Sequence, residues 1–421
     1  MIIRSVNIKN FRGIEETSIE FKPGFNLIKG ENGKGKTSIL EAIAVGLGGF
    51  IAGFSDVATR HFSKDEIRKV IELTGDGSCD EKYRVPTEVT LKTDLDGEEY
   101  VWTRGRISVN ASRSTIQPRK ICKKAEEISL DSQMEYPVLV YQGAGRVWSQ
   151  KREKSENVFK RKYSRSAGYI DTLSEASNIK LLLNWCVKME QVSWQKEQSI
   201  AEYEAVKKAV SDFMMYMNGD GSYKIFYDKQ MEELMYCSED LLIPVSNLSA
   251  GYQSLIWMVF DIAYRMAVLN PNKKNEICLT KGIVLIDEID MHLHPKWQWN
   301  IIDSLRKIFP NVQFIATTHA PILFASAKDV WVIDIEHDEY QYDYSHYGID
   351  INTALKDYQK TDDVPTTVQK KIDQFYDALD EGKYDLAKQI LEELEKATAP
   401  EHPILIQMRT RYEFEIMELE D

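Results

Sequence analysis

One short segment, which lies between an apolar strand and an amphipathic helix, constrains the fold of this chain most. Residues 29–38 read KGENGKGKTS and match the pattern G-x-x-x-x-G-K-[ST]. The apolar residues FNLI precede the segment, and KTSILEAIAVGL continues from it with apolar residues three and four positions apart. This order predicts a strand, a phosphate-binding loop and a helix, because glycines let backbone N–H groups surround a phosphate at a helix N-terminus.

The loop supplies a first set of candidate ligands. We expect Lys36 to reach the β- and γ-phosphates of a nucleotide and Thr37 to bind Mg²⁺. The residues expected to line the nucleotide are Gly30, Gly33, Lys34, Gly35, Lys36, Thr37 and Ser38. A chance match in a glycine-rich loop is the alternative interpretation, and the flanking strand and helix disfavour it.

Two carboxylates follow another apolar run. GIVLIDEIDMHLHP, residues 282–295, is predicted to begin with a buried strand that ends at Asp287 and Glu288. We expect Asp287 to hold Mg²⁺ and Glu288 to orient or activate the attacking water. An ordinary acidic turn after a buried strand is the alternative, and the upstream phosphate-binding loop favours the first interpretation.

Two further polar residues follow apolar strands. FIATTHAPIL places His319 after a strand, about thirty residues beyond Glu288, and YPVLVYQGAGR places Gln142 at another strand end. In an open parallel sheet these side chains emerge at the carboxyl edge, beside the phosphate-binding loop. We expect His319 to act in catalysis and Gln142 to contact Mg²⁺ or the attacking water. A structural histidine and an ordinary polar strand end are the alternatives.

The order of these elements along the chain is that of an ABC-type ATPase. LSAGYQ, residues 248–253, lies where that architecture has its signature sequence, which opens a helix facing the γ-phosphate held by another subunit. There Ser249 and the N–H of Gly251 supply hydrogen bonds across the interface, so two chains close two sites. A helix cap at Ser249 has the same geometry. We therefore expect an α/β ABC-type ATPase head that forms a homodimer or higher oligomer around ATP and Mg²⁺.

The segment IKNFRGIEETSIEFKPGFNLIKGENGKGKTSILEAI resembles the N-terminal half of SMC, RecF and OLD-type ATPases, and DEIDMHLHP is similar to a later motif of theirs. This resemblance implies that Arg12 approaches the nucleotide and that Asn32 lies in the phosphate loop. It also implies that the region of Asp290 forms a D-loop across the dimer. Ala250 replaces the usual glycine of the signature, which implies slow hydrolysis.

YPVLVYQGAGRVW, SAGYIDTL, LSAGYQSLI and HPILIQMRTRYEFEIME are similar to stand-alone bacterial ATPases of the AAA_15/AAA_21 type, which include the Septu anti-phage ATPases (the PtuA family). Those ATPases act with a small HNH endonuclease (the PtuB family). The resemblance therefore implies a nucleotide-controlled scaffold for a nuclease partner that degrades nucleic acid.

Three other kinds of ATPase share parts of this pattern. A RecF-like, DNA-binding repair ATPase stays open as the alternative function, whereas a repair ATPase with a long coiled coil needs far more residues between its halves. A transporter subunit has a shorter segment between phosphate loop and signature. An OLD-type enzyme needs a nuclease domain of clustered carboxylates, and the chain after Asp350 is too short and too helical, so we expect no intrinsic nuclease.

The sequence predicts four regions. They are an N-terminal ATPase lobe at 1–150 with a β-rich insertion at about 55–131, a helical arm at 151–240, a C-terminal ATPase lobe at 241–350, and an acidic helical tail at 351–421. The tail has sixteen acidic and seven basic residues from position 362 onward, in a chain of net charge −13. It is interpreted as a docking surface or as a solvated cap on the ATPase lobes.

Basic residues cluster at 113–124 and 151–165, where they can bind DNA, bind the acidic tail of a neighbouring chain, or form a solvated face. The five cysteines are scattered and follow no metal-binding or disulfide pattern, which is typical of a reducing cytosol. No apolar run reaches the roughly 20 residues that a membrane span needs. We expect a cytoplasmic protein that has no membrane partner.

Overall fold

The computed structural model describes residues 1–73, 79–145, 164–175, 179–239, 241–336, 340–359, 364–397 and 402–420. Within these ranges the strands are β1 (Ile2–Phe11), β2 (Ile14–Glu20), β3 (Phe25–Lys29), β4 (Lys69–Leu73), β5 (Cys79–Tyr83), β6 (Thr87–Leu95), β7 (Glu98–Arg106), β8 (Thr115–Gln117), β9 (Val138–Gln142), β10 (Lys224–Asp228), β11 (Glu233–Ser238), β12 (Leu241–Pro244), β13 (Gly282–Ile286), β14 (Val312–Thr317), β15 (Val330–Asp334) and β16 (Gln341–Tyr344).

The helices of the same ranges are α1 (Lys36–Ile51), α2 (Lys120–Leu130), α3 (Ile179–Lys196), α4 (Ala201–Asn218), α5 (Ala250–Leu269), α6 (Pro295–Gln298), α7 (Ile301–Ile308), α8 (Pro321–Ser326), α9 (Ile351–Gln359), α10 (Thr366–Asp380), α11 (Tyr384–Ala397) and α12 (Pro403–Glu420). The chain divides into two compact units, Met1–Gly348 and Ile349–Asp421.

The core of the first unit is a six-stranded sheet of order β16-β15-β3-β14-β13-β9. All its neighbouring strands run parallel except β16, which is antiparallel to β15. Strands β3, β9, β13 and β14 are buried along their whole length, which accounts for their continuous apolar runs. Because β3 pairs with β14 and β15, the N- and C-terminal segments form one sheet, as the sequence predicts.

Helix α1 leads from the phosphate-binding loop into the interior, where it contacts both the central sheet and strands β1, β6 and β7. The glycines of α1 explain how closely the helix approaches the sheet that contains β1, β6 and β7. A Cβ atom on Gly46 would lie 2.7 Å from Leu91, and one on Gly49 would lie 2.4 Å from Trp102. The Trp102 Nε1–H also donates to the Gly46 carbonyl at 2.9 Å. Glycine is therefore needed on this face of α1, because a larger side chain overlaps its neighbours.

The predicted β-rich insertion is not a separate body. Strands β6, β7 and β8 join β1 and β2 in a five-stranded antiparallel sheet of order β2-β1-β6-β7-β8, so half of the predicted insertion completes a sheet that begins at the N-terminus. Strand β1 carries apolar residues that pair across to β6, which sequence periodicity alone does not reveal. The side chain of Gln313 links the two sheets, since it bonds the N–H and the carbonyl of Ile3 at 2.7 and 2.9 Å.

The segment predicted as a helical arm is only partly helical. It contains helices α3 and α4, but strands β10 and β11 occupy its C-terminal part and pair with β12 in a three-stranded antiparallel sheet. The strands are short and follow the glycines at the end of α4, and the long helical pattern upstream hides them. Residues 146–163, which contain most of the second basic cluster, lie outside the described residues.

The second unit has its own hydrophobic core. Helices α10, α11 and α12 pack together through apolar positions that recur at helical spacing. The core residues are Ile372, Phe375, Ala378, Leu379, Ala387, Ile390, Leu391, Leu394, Leu405 and Met408. Most of the acidic residues on α10 and α11 are exposed. The acidic tail is therefore a packed helical unit.

A buried ion pair fixes the end of β3, directly before the phosphate-binding loop. Lys29 Nζ lies 2.7 Å from the Asp334 carboxylate on β15, and both side chains are less than 10% exposed. We expect Asp334→Ala to lower the free energy of unfolding by about 3–5 kcal/mol, because it leaves a buried ammonium group without its carboxylate. Urea unfolding followed by tryptophan fluorescence measures this, since all eight tryptophans precede residue 349.

The matched control is Glu72→Ala, which removes an ion pair of similar length to Lys82 at the surface. It should change the free energy of unfolding by less than about 1 kcal/mol. Equal effects of the two substitutions would contradict a special role for the Lys29–Asp334 pair.

Candidate nucleotide site

The phosphate-binding loop connects β3 to α1. Gly33 and Gly35 have φ angles of 86° and 91°, a left-handed conformation that favours glycine and lets the loop turn into the helix. The Lys36 ammonium folds back and donates to the carbonyls of Gly30 and Glu31 at 2.5 and 2.9 Å. Burial lowers the pKa of Lys36, and the nearby Asp287 opposes that change. The other predicted loop residues, Asn32, Lys34 and Ser38, lie on the same turn or its helix start.

Asp287 lies at the end of β13 and is held at both carboxylate oxygens. The Thr37 hydroxyl donates to Oδ2 at 2.8 Å, and the Thr317 hydroxyl, at the end of β14, donates to Oδ1 at 2.7 Å. The backbone N–H of Asp287 donates to the Gln142 carbonyl on β9 at 2.8 Å. Four segments of the chain therefore meet at Asp287, as the carboxyl edge of a parallel sheet allows.

This donor set is of the right chemistry for Mg²⁺. A threonine hydroxyl, an aspartate carboxylate and a glutamine amide supply the oxygen ligands that Mg²⁺ prefers, alongside water and phosphate oxygens. The three side chains belong to Thr37, Asp287 and Gln142. Thr37 bonds to Asp287 through its side chain, and Gln142 bonds to it through its backbone carbonyl. Among the described residues, no group of three or more His, Cys, Asp or Glu side chains is arranged to hold a metal ion.

Glu288 follows directly and has an unusual backbone. Its φ of 46° is uncommon for a residue other than glycine, and such conformations cluster at functional sites. The Thr317 hydroxyl accepts from the N–H of Glu288 at 2.8 Å, so one threonine holds both acidic residues. His319 lies two residues beyond Thr317, half-buried at the end of the neighbouring strand. The structure thus brings Glu288 and His319 to the same sheet edge.

The D-loop begins in the same region. The Thr318 hydroxyl donates to the Asp290 carboxylate at 2.5 Å, which fixes the chain after Glu288 against the end of β14. His292 then takes a φ of 63°. Its carbonyl lies so close to Gly251 that a Cβ there would be 2.6 Å from the oxygen. The segment after β13 therefore packs directly on the signature sequence.

The signature sequence forms the start of α5, with Ser249 as the residue that precedes the helix. Ser249 is exposed, and its hydroxyl makes no capping hydrogen bond. Gln253 instead closes the turn by donating to the carbonyls of Ser246 and Leu248 at 2.8 and 2.7 Å. Tyr252 packs edge-on against Trp297, with ring centres 4.5 Å apart. The helix N-terminus is thereby held firmly while the serine hydroxyl faces outward.

Arg12 pairs with a carboxylate of helix α1. Its guanidinium donates to the Glu41 carboxylate at 2.7 Å, one turn beyond Thr37 on α1. Glu41 is only 3% exposed, and burial raises its pKa to about 7 despite the arginine. Contact between Arg12 and a nucleotide stays a prediction.

Sequence reasoning missed three residues of this region. Thr317 could have been predicted from the sequence, because it ends the same apolar strand that His319 follows. Glu41, and Asp261 on α5, which accepts a hydrogen bond from the Gln142 side chain, lie within helical patterns. There the spacing identifies a buried face but no partner.

With the geometry established, comparison with known proteins identifies the family. A family model described as an AAA domain matches residues 5–216, half of the chain, and a second AAA-domain model matches residues 243–325. The chain belongs to the AAA-domain family.

Several relatives of this AAA-domain protein carry the names of retron and Septu proteins. It is 25% identical to a Retron Ec83 probable ATPase from Escherichia coli, over 79% of this chain and 71% of that protein. It is 25% identical to a Septu protein PtuA from Bacillus thuringiensis, over 96% of both chains. It is 27% identical to a Septu protein PtuA from Bacillus mycoides, over 76% of this chain and 38% of that protein.

Among solved structures, the chain is similar to an SMC head bound to the C-terminal winged-helix domain of ScpA, with a TM-score of 0.47 and 18% identity. That similarity covers 82% of this chain and 97% of the other. In the part of the chain that the structure describes, no helix combines the length and the apolar character of a membrane span.

The contact between Gly251 and the His292 carbonyl leaves no room for a side chain. We expect Gly251→Ala to lower the free energy of unfolding by about 1–3 kcal/mol, because the added Cβ forces either the signature turn or the D-loop to shift. Urea unfolding followed by tryptophan fluorescence measures the change. Gly13→Ala is the control, since a Cβ at that turn meets nothing within 4 Å, and its effect should stay within about 0.5 kcal/mol. A Gly251→Ala protein as stable as wild type would show that the two segments are not held together.

Proposed function

We propose that this ATPase binds ATP and Mg²⁺ between two copies of the chain and that its nucleotide state controls an associated HNH endonuclease in anti-phage defence. The observation that carries the proposal is the hydrogen bond from Thr37 to Asp287 at 2.8 Å. It joins the phosphate-binding loop to the acidic strand end, next to Lys36. A hydroxyl, a carboxylate and an ammonium group in these positions suit a nucleoside triphosphate and its metal ion.

Each residue has a distinct part in this proposal. Lys36 leaves its own loop carbonyls to bind the β- and γ-phosphates, with the N–H groups of the loop around it. Thr37, Asp287 and Gln142 hold Mg²⁺, which neutralises the charge of the phosphates when bound. Glu288 orients the attacking water and accepts its proton. His319, at the same sheet edge, binds the γ-phosphate.

The second copy completes the site. Ser249 and the N–H of Gly251 bind the γ-phosphate held by the partner chain, where the positive end of helix α5 adds to the attraction. The exposed Ser249 hydroxyl supports this, because it makes no cap bond in its own chain. The region of Asp290 contributes to the same interface, and Arg12 approaches the bound nucleotide. Ala250 adds a methyl group beside the phosphate, so we propose slow hydrolysis.

The partner assignment rests on the relatives rather than on the site. Two Septu PtuA proteins and a retron ATPase are similar to this chain over most of its length, and both kinds of system are defence-associated. We propose a cytoplasmic complex in which the chain has no nuclease activity of its own and an HNH partner cuts nucleic acid. The lobes at 1–150 and 241–350 carry the ATP site. The regions at 151–240 and 351–421 are the candidate partner contacts.

The role of Glu288 gives the sharpest test of this mechanism. We expect Glu288→Gln to bind ATP but to hydrolyse it at least about a hundredfold more slowly, because the amide cannot accept the proton of the attacking water. Bound nucleotide and native mass of the purified protein measure the result. The variant should accumulate ATP and shift to a dimer or larger assembly. Lys36→Ala is the control and should retain no nucleotide.

The same variant tests the partner. Wild type and Glu288→Gln are each mixed with the product of any HNH reading frame next to this gene, and complex formation and DNA cleavage are followed with and without ATP. We expect a stable complex whose cleavage differs between the two nucleotide states. A Glu288→Gln protein that neither accumulates ATP nor changes mass would overturn the catalytic assignment. A nucleotide-dependent dimer that ignores the HNH protein and binds DNA would favour a RecF-like repair ATPase.

A further inference from the structure

The side chain of Gln142 has a partner on the signature helix. Its Nε2 donates to the Asp261 carboxylate on α5 at 2.8 Å, and the Gln142 side chain is buried. Asp261 lies eleven residues beyond Ala250, about three turns along the same helix. Gln142, the proposed metal ligand at the end of β9, therefore contacts α5, the helix that begins at the signature sequence of the same chain.

The chemistry of the pair decides which atom of the Gln142 amide bonds to Asp261. An ionised carboxylate only accepts hydrogen bonds, so it can bind the NH₂ end of the Gln142 amide and not the oxygen. Asp261 thereby fixes the orientation of the amide and leaves Oε1 as the atom available to a metal ion. This follows from the partner's chemistry and does not depend on telling nitrogen from oxygen by position.

Asp261 is itself held in place. The Arg265 Nε–H lies 3.0 Å from both Asp261 oxygens, and the Arg265 side chain is buried. One end nitrogen of that guanidinium also donates to the carbonyls of Gly168 and Ile170, each at 2.9 Å. The carboxylate therefore has little freedom to turn away from Gln142, and the chain that follows β9 is tied to α5 by the same arginine.

We propose that Asp261 is a positioning residue that presents the amide oxygen of Gln142 to Mg²⁺ and so links the signature helix to the metal site within one chain. The inference rests on the proposed function, because it assumes that Gln142 is a metal ligand. Residues that orient metal ligands in this way commonly contribute tenfold or more to metal affinity. A movement of α5 on contact with the partner's nucleotide moves Asp261 as well and changes the orientation of the Gln142 amide toward Mg²⁺.

A charge exchange between the two side chains tests the proposal. Four proteins are compared: wild type, Asp261→Asn, Gln142→Glu, and the double variant. In Asp261→Asn the new asparagine amide can accept or donate a hydrogen bond, so the Gln142 amide loses its single orientation. In Gln142→Glu two carboxylates face each other at hydrogen-bond distance. In the double variant an asparagine donates to a glutamate, which restores both the bond and an oxygen for the metal ion.

The measurement is calorimetric binding of a non-hydrolysable ATP analogue, titrated against Mg²⁺ and repeated in EDTA. We expect each single variant to need about tenfold more Mg²⁺ for half-saturation. The double variant should return to within about threefold of wild type. Binding in EDTA should be unchanged in all four. The unfolding midpoint is measured beside it, because each single variant is expected to lose stability at the buried Asp261–Arg265 and Gln142–Asp261 contacts. Asp303→Asn on α7 is the matched control, because that aspartate is exposed and lies outside the site.

Two results would overturn the positioning role. One is an Asp261→Asn protein with the Mg²⁺ dependence of wild type. The other is a double variant whose defect equals the sum of the single defects, as expected if Asp261 only stabilised α5. Wild-type binding that does not respond to Mg²⁺ is a different failure, since it removes the metal site of the proposed function and this inference with it.

Discussion

Asp287 is the residue at which the segments of the candidate nucleotide site meet. Thr37 and Thr317 donate to its two oxygens, and its backbone N–H donates to Gln142, so residues from four distant parts of the sequence are joined there. A buried carboxylate with this many donors is held in one orientation. The phosphate-binding loop, the acidic strand end and the glutamine strand consequently keep their relative positions before any ligand binds.

The sheet makes that meeting point possible. Strand β14 lies between β3 and β13, and its Thr317 contacts both acidic residues that follow β13. The Thr37–Asp287 bond then joins the loop after β3 to the end of β13. The buried Lys29–Asp334 pair fixes β3 on its other side. On the outside of the same edge, Gly251 packs on the His292 carbonyl, so the signature and the D-loop form one surface. A shift at either element is therefore transmitted to the other by direct contact.

Much of this arrangement could be predicted from the sequence, because the decisive signals are local. The glycine pattern before Lys36 and the apolar run before Asp287 each specify a turn or a strand end by themselves, and parallel topology then brings the ends together. The pairing of β1 with β6 and the strands after α4 could not be predicted, since both depend on contacts between segments far apart in sequence. Asp261 was missed for the same reason: its position on α5 says nothing about a partner 119 residues away.

The central claim is that each nucleotide site takes residues from two chains, and mixing two inactive proteins tests it most directly. Lys36→Ala removes the phosphate-binding side, and Ser249→Arg blocks the signature side at an exposed position. Mixed dimers carry one site with both defects and one intact site. ATP hydrolysis should therefore return to about a quarter of the wild-type rate at equal concentrations. A mixture as inactive as its two components would contradict sites shared between chains.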